Sequence, residues 1–264
     1  MRARLRLLYA ASPPLAITGS LTAALALVLS IAYQFDSRTI LGINPWTKPI
    51  KFSASIAIFT WTLAWYFRYL TARPRPLRII GWGSSIMMIG EIAGITMQSW
   101  RGVASHFNVT SRFDAVVFMS MGVMIGLNTL FVLWFLILFC MDQPAIPRAY
   151  LWGIRSGLAI FVMASIEGAL MVKRLAHTVG AADGGPGLFF VNWSTQHGDL
   201  RVAHFAGMHA MQILPLAGYL VHRTMRDWSD GKQSASVIAL SVVYAAVFAW
   251  LAYSALHGVP LIAG

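Results

Sequence analysis

The sequence contains few charged residues. Asp, Glu, Lys and Arg make up 11% of its 264 residues, whereas hydrophobic residues make up 58%. A typical soluble domain carries about 25% charged residues. So small a polar fraction excludes an ordinary water-soluble globular domain. Because a bilayer can cover the apolar surface instead, the composition predicts an integral membrane protein.

Cysteine and several catalytic motifs are scarce or absent. Cys140 is the only cysteine, which excludes an internal disulfide and a cysteine-based zinc site. The sequence contains neither a His-Glu-x-x-His zinc helix nor a Gly-x-Ser-x-Gly nucleophile elbow. The glycine-rich segment 182–187 lacks the Lys-Ser/Thr ending of a phosphate-binding loop. These absences exclude several familiar hydrolase and nucleotide-binding classes.

The basic charge does not indicate nucleic acid. The formal net charge is +11, a value that many nucleic-acid-binding proteins share. Here, however, the Lys and Arg residues lie in short connections between apolar stretches, where they orient a membrane protein. No basic amphipathic stripe accompanies them. We therefore expect the lipid bilayer, and no nucleic acid, as the partner of this charge.

Seven apolar stretches of spanning length alternate with short polar breaks. Each stretch is predicted to be an α-helix, because only hydrogen bonding within the segment satisfies a single span in lipid. Short connections make neighbouring helices antiparallel. The predicted fold is therefore all-α: a polytopic membrane protein with one helical domain, 1–264, built as a seven-transmembrane-helix bundle. The predicted spans are 14–34, 50–70, 79–100, 114–140, 150–172, 202–222 and 235–257.

The distribution of Lys and Arg predicts that the N-terminus lies inside. That orientation gives twelve basic residues on the inner side and eight on the outer side, in agreement with the positive-inside rule. The outer eight are Arg38, Lys48, Lys51, Arg101, Arg112, Lys173, Arg174 and Arg201. The first apolar stretch is of spanning length, about 20 residues, so we interpret it as an uncleaved span. The expected location is the cell inner or plasma membrane.

Two glutamates fall within predicted spans. Glu91 lies nine residues before the outer end of the third span, and Glu167 five residues before the outer end of the fifth. At 1.5 Å per residue these positions are about 13 Å and about 8 Å deep. Ionisable groups at such depth are costly, about 2.5–3.5 kcal/mol on insertion scales, and commonly functional. We therefore predict that both are catalytic, as proton-handling or ligating groups.

The histidines concentrate toward one side of the predicted bundle. Six of the seven fall on the outer side, at positions 106, 177, 197, 204, 209 and 257. We predict that His204, His209 and His257 are metal ligands, and that His209 pairs with Glu91 at similar depth. Since five residues turn a helix by about 140°, His204 and His209 cannot both face one small ion from a regular helix.

The predicted ligands are compatible with more than one cofactor. Imidazole and carboxylate groups suit zinc, iron or copper, and axial histidines suit haem. If haem is bound, Arg101, Arg174 and Arg201 are the predicted cofactor-binding residues, because they could meet its propionates. A small anionic or lipophilic ligand could bind at the outer face, because the eight outer basic residues could line an anion-attracting mouth. Alternatively, these residues only extend to the membrane interface.

Three functions fit these observations. The favoured one is a membrane-embedded metal- or haem-dependent enzyme or redox protein with a His/Glu site in the outer half of the bilayer. A small proton-coupled transporter is an alternative, because buried carboxylates and a histidine make a relay. A non-catalytic assembly or sensor protein, with histidines that respond to outer pH, is the third.

Overall fold

The protein is predominantly α-helical. The computed structural model describes residues 2–263, with side chains from Arg6 onward, and 72% of the chain is helix. The helices in chain order are α1 Arg2–Ala11, α2 Pro13–Phe35, α3 Thr47–Phe67, α4 Pro74–Trp100, α5 Arg112–Met141, α6 Arg148–Arg174, α7 Leu200–Thr224 and α8 Asp230–Leu256. Two short strands, β1 Thr178–Val179 and β2 Gly198–Asp199, pair in an antiparallel manner between α6 and α7. The all-α class is confirmed.

Local sequence signals explain where the helices begin. Prolines occupy the first turns of α2 and α4. Backbone N–H groups in a first turn have no acceptor within the helix, so a proline there costs no helical hydrogen bond. The side chain of Asp199 caps α7 by accepting from the Arg201 N–H, and Ser229 caps α8 by accepting from the Lys232 N–H. These caps fix the entry points of the last two long helices.

Five of the described helices are long and apolar enough to cross a membrane: α2, α4, α5, α6 and α8. The chain is therefore a multi-pass membrane protein. The seven predicted spans coincide with α2 to α8 to within a few residues at each end. The sequence did not predict α1, whose arginine-rich segment precedes the first apolar stretch.

The chain divides into two compact units, Met1–Phe131 and Val132–Gly264. In the first unit α2, α3 and α4 pack against one another, and α1 packs on α2 and α3. In the second unit α6, α7 and α8 form a three-helix cluster. The single-domain interpretation of the sequence stays a prediction.

The closest helix contact within the second unit joins α6 to α7. A Cβ placed on Gly157 would lie 2.7 Å from the carbonyl oxygen of Ala210 and 2.9 Å from the Cα of Met211. Gly153 faces the Leu214 backbone, and Gly218 faces the Ala149 backbone. These glycines let the two helix backbones approach each other, as small residues do in membrane helix pairs.

The long connection between α6 and α7 is held at its base. Thr178 pairs with Asp199 and Val179 with Gly198, and the His177 carbonyl accepts from the Leu200 N–H. Gly198 lies directly against the Ala255 backbone of α8. The start of α7 is therefore fixed by backbone contacts from two sides.

Candidate functional site

Glu91 lies on the buried face of α4 in the first unit. Its side chain is 1% exposed, and it shares its stripe with Ser84 and Gln98, which lie seven residues away on either side and are fully buried. The connection after α4 brings His106 to this carboxyl group, with 3.5 Å between His106 Nε2 and Glu91 Oε1. No directed hydrogen bond from residues 2–263 reaches either carboxylate oxygen.

Aromatic rings and one cation surround this pair. The ring centroids of Phe52, Phe107 and Phe118 lie 5.7, 6.1 and 6.2 Å from that of His106. The Lys48 ammonium lies 5.7 Å from the Phe52 centroid, and its positive charge acts on the Glu91 carboxylate. The rings reduce access of water to the imidazole, which strengthens charge interactions at the pair.

A polar cluster follows Glu91 at the end of α4. Gln98 Nε2 donates to Asp114 Oδ1 over 2.9 Å, and Ser111 donates to Asp114 Oδ2 over 2.6 Å. Arg101 pairs with Asp114, donates to Gln98 and lies over the Phe113 ring. The guanidinium of Arg101, predicted to meet a propionate, is thus held by a carboxylate of the chain.

A second cluster fixes the connection between α2 and α3. Asp36 binds Arg38 through several hydrogen bonds and accepts from Trp46 Nε1 over 2.8 Å. Arg38 also donates to the Trp100 carbonyl over 3.0 Å. The Arg38 hydrogen bond is the largest influence on Asp36 and holds the pKa of that carboxyl well below its usual range. This cluster joins the end of α2 to the end of α4.

Glu167 and His204 form a corresponding pair in the second unit. Glu167 on α6 is 7% exposed, and its Oε2 lies 3.3 Å from Nδ1 of His204 on α7. As at Glu91, neither carboxylate oxygen has a directed hydrogen bond among the described residues. The sequence predicted both residues as functional but did not pair them. The close approach of α6 and α7 brings them together.

The tautomer of His204 follows from a second contact. His204 Nδ1 lies 2.9 Å from the Ala164 carbonyl oxygen. A carbonyl oxygen only accepts hydrogen bonds, so Nδ1 must carry the proton and Nε2 is the basic nitrogen of the neutral ring. Gly168 provides the space for this ring, because a Cβ there would lie 2.8 Å from His204 Cε1.

The three histidines predicted as metal ligands have different neighbours. The ring of His209 lies 4.4 Å from that of Phe205, whereas exposed His257 lies 4.0 Å from the Tyr253 ring. Within residues 2–263, no three His, Cys, Asp or Glu side chains lie close enough together to hold a metal ion. The structure thus pairs His204 with Glu167 and does not gather the three histidines. Their role as metal ligands stays a prediction.

Two other predictions also stay open. Arg174 is exposed on the last turn of α6, and Arg201 binds Asp199. The role of these two arginines at haem propionates stays a prediction. The predicted Glu91–His209 contact would join the two compact units, whereas the observed imidazole partner of Glu91 is His106 of its own unit.

One charged network in the connection after α6 was not predicted from the sequence. His177 Nδ1 lies 3.3 Å from Asp183 and 3.8 Å from Asp199. Arg201 binds Asp199 through Nη2 over 2.6 Å and also donates to the Asn192 carbonyl. Burial of Asp199 raises the pKa of its carboxyl group. The hydrogen bond from Arg201, the positive charge of Arg201 and the hydrogen bond from the Ser194 N–H together outweigh burial, so the pKa of Asp199 lies below its usual value. An acidic residue just before an apolar helix was the available sequence signal.

A small cavity of about 90 Å³ lies beside this network. Its lining includes His177, Asn192, His197 and Arg201. A space of this size and polarity accommodates water molecules or one small polar group.

Comparison with known proteins adds no assignment to this geometry. No family model matches the chain, and no curated protein or solved structure matches it either. The Glu91–His106 and Glu167–His204 pairs are therefore the features that indicate a function.

Proposed function

We propose that this is a seven-span protein of the cell inner or plasma membrane that moves protons through buried carboxyl–imidazole pairs, as a small proton-coupled transporter would. The observation that carries the proposal is that each glutamate within a membrane-spanning helix lies against a histidine. The distances are 3.5 Å for Glu91–His106 and 3.3 Å for Glu167–His204. Each unit contains one such pair.

The proposed topology adds α3 and α7 to the five helices of spanning character. Within its own unit α3 packs on α2 and α4, and α7 packs on α6 and α8. Polar residues on these two helices can therefore face protein, which removes the need for a wholly apolar sequence. The excess of Lys and Arg on the inner side supports an N-terminus inside. In this topology His106 belongs to an outer connection.

Burial makes the charge state of each pair depend on one proton. Glu91 and Glu167 are 1% and 7% exposed, and their oxygens lack directed hydrogen bonds among the described residues. A buried carboxylate in such a setting needs either a proton or a counter-charge. The neighbouring imidazole can supply either, because it can release its proton or keep it and remain an imidazolium.

The imidazole also provides a route to the buried acid. His204 is 32% exposed beside a 7% exposed glutamate, and His106 is 22% exposed beside a 1% exposed one. His204 Nδ1 donates to the Ala164 carbonyl and lies 3.3 Å from Glu167 Oε2. A proton accepted on Nε2 can therefore be matched by transfer of the Nδ1 proton to the Glu167 carboxylate when a small movement turns Nδ1–H from the carbonyl to that oxygen.

Proton flux into proteoliposomes that contain a pH-sensitive dye tests this proposal. We expect Glu91→Gln and Glu167→Gln each to reduce protein-dependent flux at least about 100-fold, the lower range of a general acid–base contribution. Asp227→Asn removes an exposed acid from the α7–α8 connection and should leave the flux unchanged. Equal flux in the wild type and both glutamine variants would refute the proposal.

A metal- or haem-dependent redox function is the second candidate, and one observation favours it. Nδ1 of His204 donates to the Ala164 carbonyl and lies 3.3 Å from the Glu167 carboxylate. Metal-binding histidines commonly have their second nitrogen held in this way. His204 would then bind through Nε2, and Glu167 would orient it.

Elemental analysis and an absorption spectrum of the detergent-purified protein test the second candidate. We expect near-stoichiometric metal or a Soret band that His204→Ala removes and His222→Ala retains. His222 is a suitable control because it lies at the opposite end of α7. A metal-free, colourless protein with full proton flux would reject this candidate while leaving the first one standing.

A further inference from the structure

An open cleft of about 460 Å³ lies where α7 meets α8. Its lining combines two arginines, Arg223 and Arg226, with two amphipathic aromatics, Tyr219 and Trp228. It lies at the opposite end of α7 from the Glu167–His204 pair and has no part in the proposed proton route.

A buried glutamine holds the walls of this cleft in place. Gln233 is 4% exposed and donates from Nε2 to the carbonyl oxygens of Met225 and Trp228. Its Oε1 lies 3.2 Å from His222 Nδ1. The turn between the helices is thus tied to the first turns of α8. A site held in this way needs little reorganisation when a ligand binds.

The cleft is rich in groups that recognise phosphate. Arg223 donates from Nη1 to the Tyr219 hydroxyl over 2.9 Å, and Arg226 donates from Nε to the Arg223 carbonyl over 3.2 Å. Lys232 lies 4.3 Å from the Trp228 ring centroid. Guanidinium groups match the geometry of phosphate oxygens.

The acidic residues nearby leave a small positive excess. Asp227 and Asp230 oppose the three cations Arg223, Arg226 and Lys232, so the local charge is positive even with His222 neutral. Asp230 begins α8, where its carboxylate interacts with the positive end of the helix dipole.

An apolar surface continues from the cleft along α7. Leu216 and Leu220, four residues apart and thus on one helix face, are 56% and 47% exposed. A free phosphate has no use for such a surface, whereas the acyl chains of a phospholipid would lie on it. Trp228 and Tyr219 are of the residue types that favour the headgroup level of a membrane.

We propose that the α7–α8 cleft binds the phosphate of an acidic phospholipid headgroup, with Arg223 and Arg226 as the phosphate-binding residues and Leu216 and Leu220 against the acyl chains. Basic clusters at the ends of membrane helices bind acidic lipids in this way. The proposal is independent of proton movement, because none of its residues belongs to a carboxyl–imidazole pair.

Native mass spectrometry of the full-length protein in detergent tests this site. The probes are dioctanoyl phosphatidylglycerol, dioctanoyl phosphatidylcholine and glycerol 3-phosphate. We expect phosphatidylglycerol to bind most tightly. The double variant Arg223→Gln/Arg226→Gln should weaken it about 25-fold, since each basic residue near an acidic lipid contributes about fivefold.

A matched control exists at the start of α4. Arg75 and Arg78 are also three residues apart and exposed, so Arg75→Gln/Arg78→Gln makes the same change in net charge. This control should retain wild-type binding of phosphatidylglycerol. Equal losses in the two double variants would reduce the effect to net charge and overturn the site. If phosphatidylcholine binds as tightly as phosphatidylglycerol, the cleft has no preference for acidic lipid. If glycerol 3-phosphate binds as tightly as phosphatidylglycerol, the cleft recognises a phosphate group and not a lipid.

Discussion

Replacement of Gly157 by alanine tests the close contact between α6 and α7. The new Cβ would lie 2.7 Å from the Ala210 carbonyl oxygen, whereas even weakly hydrogen-bonded carbon and oxygen atoms stay about 3.3 Å apart. Both nearby atoms, Ala210 O and Met211 Cα, belong to the backbone and cannot rotate away. The two helices must therefore separate by roughly 0.6 Å.

The expected loss follows from two opposing effects. Overpacking of this kind costs about 1–3 kcal/mol, and alanine regains up to about 1 kcal/mol of helix propensity over glycine. With the full propensity gain, we expect Gly157→Ala to lower the free energy of unfolding by up to about 2 kcal/mol relative to the wild type. Reversible unfolding by SDS in mixed micelles measures this difference. The same separation should loosen the Glu167–His204 pair, which bridges these helices.

Gly122→Ala provides the control for this prediction. Among the described residues, nothing lies within 4 Å of a Cβ placed on Gly122 in the middle of α5. This variant should be as stable as the wild type, or more stable by up to about 1 kcal/mol. If Gly157→Ala matches the stability of Gly122→Ala, the described packing of α6 on α7 is wrong.

Two further predictions concern the second unit. The pKa of Asp199 is below its ordinary value in the folded protein, so its stabilising contribution should be complete above about pH 4 and be lost as the pH falls through the folded pKa. The melting temperature of Asp199→Asn should therefore fall less than that of the wild type as the pH is lowered below about 4. An equal fall in both proteins would contradict this reasoning. Tyr244 donates to the Ala206 carbonyl over 2.6 Å, so Tyr244→Phe should cost about 1 kcal/mol in SDS unfolding, whereas Tyr253→Phe at a 63% exposed position should cost less.

The helices could be predicted from the sequence because each signal is local. Apolar stretches, prolines at helix starts and the polar residues Asp199 and Ser229 mark boundaries without reference to the rest of the fold. α1 escaped prediction because Arg2, Arg4 and Arg6 interrupt its apolar pattern.

The candidate sites could be predicted only in part. Glu91 and Glu167 stand out because an ionisable residue in an apolar helix is costly wherever it packs. Their partners depend on tertiary structure: His106 reaches Glu91 from a loop, and His204 reaches Glu167 because glycines bring α6 and α7 together. The Asp183–His177–Asp199 network likewise depends on the path of a long connection.

The most direct test of the proposed proton route is infrared titration of the protonated carboxyl stretch in detergent-purified protein. Glu91→Gln and Glu167→Gln assign the two signals. We predict that His106→Asn changes only the Glu91 signal and that His204→Asn changes only the Glu167 signal, because each imidazole lies within 3.5 Å of its own glutamate. Signals of both glutamates that stay unchanged in both asparagine variants would contradict the account.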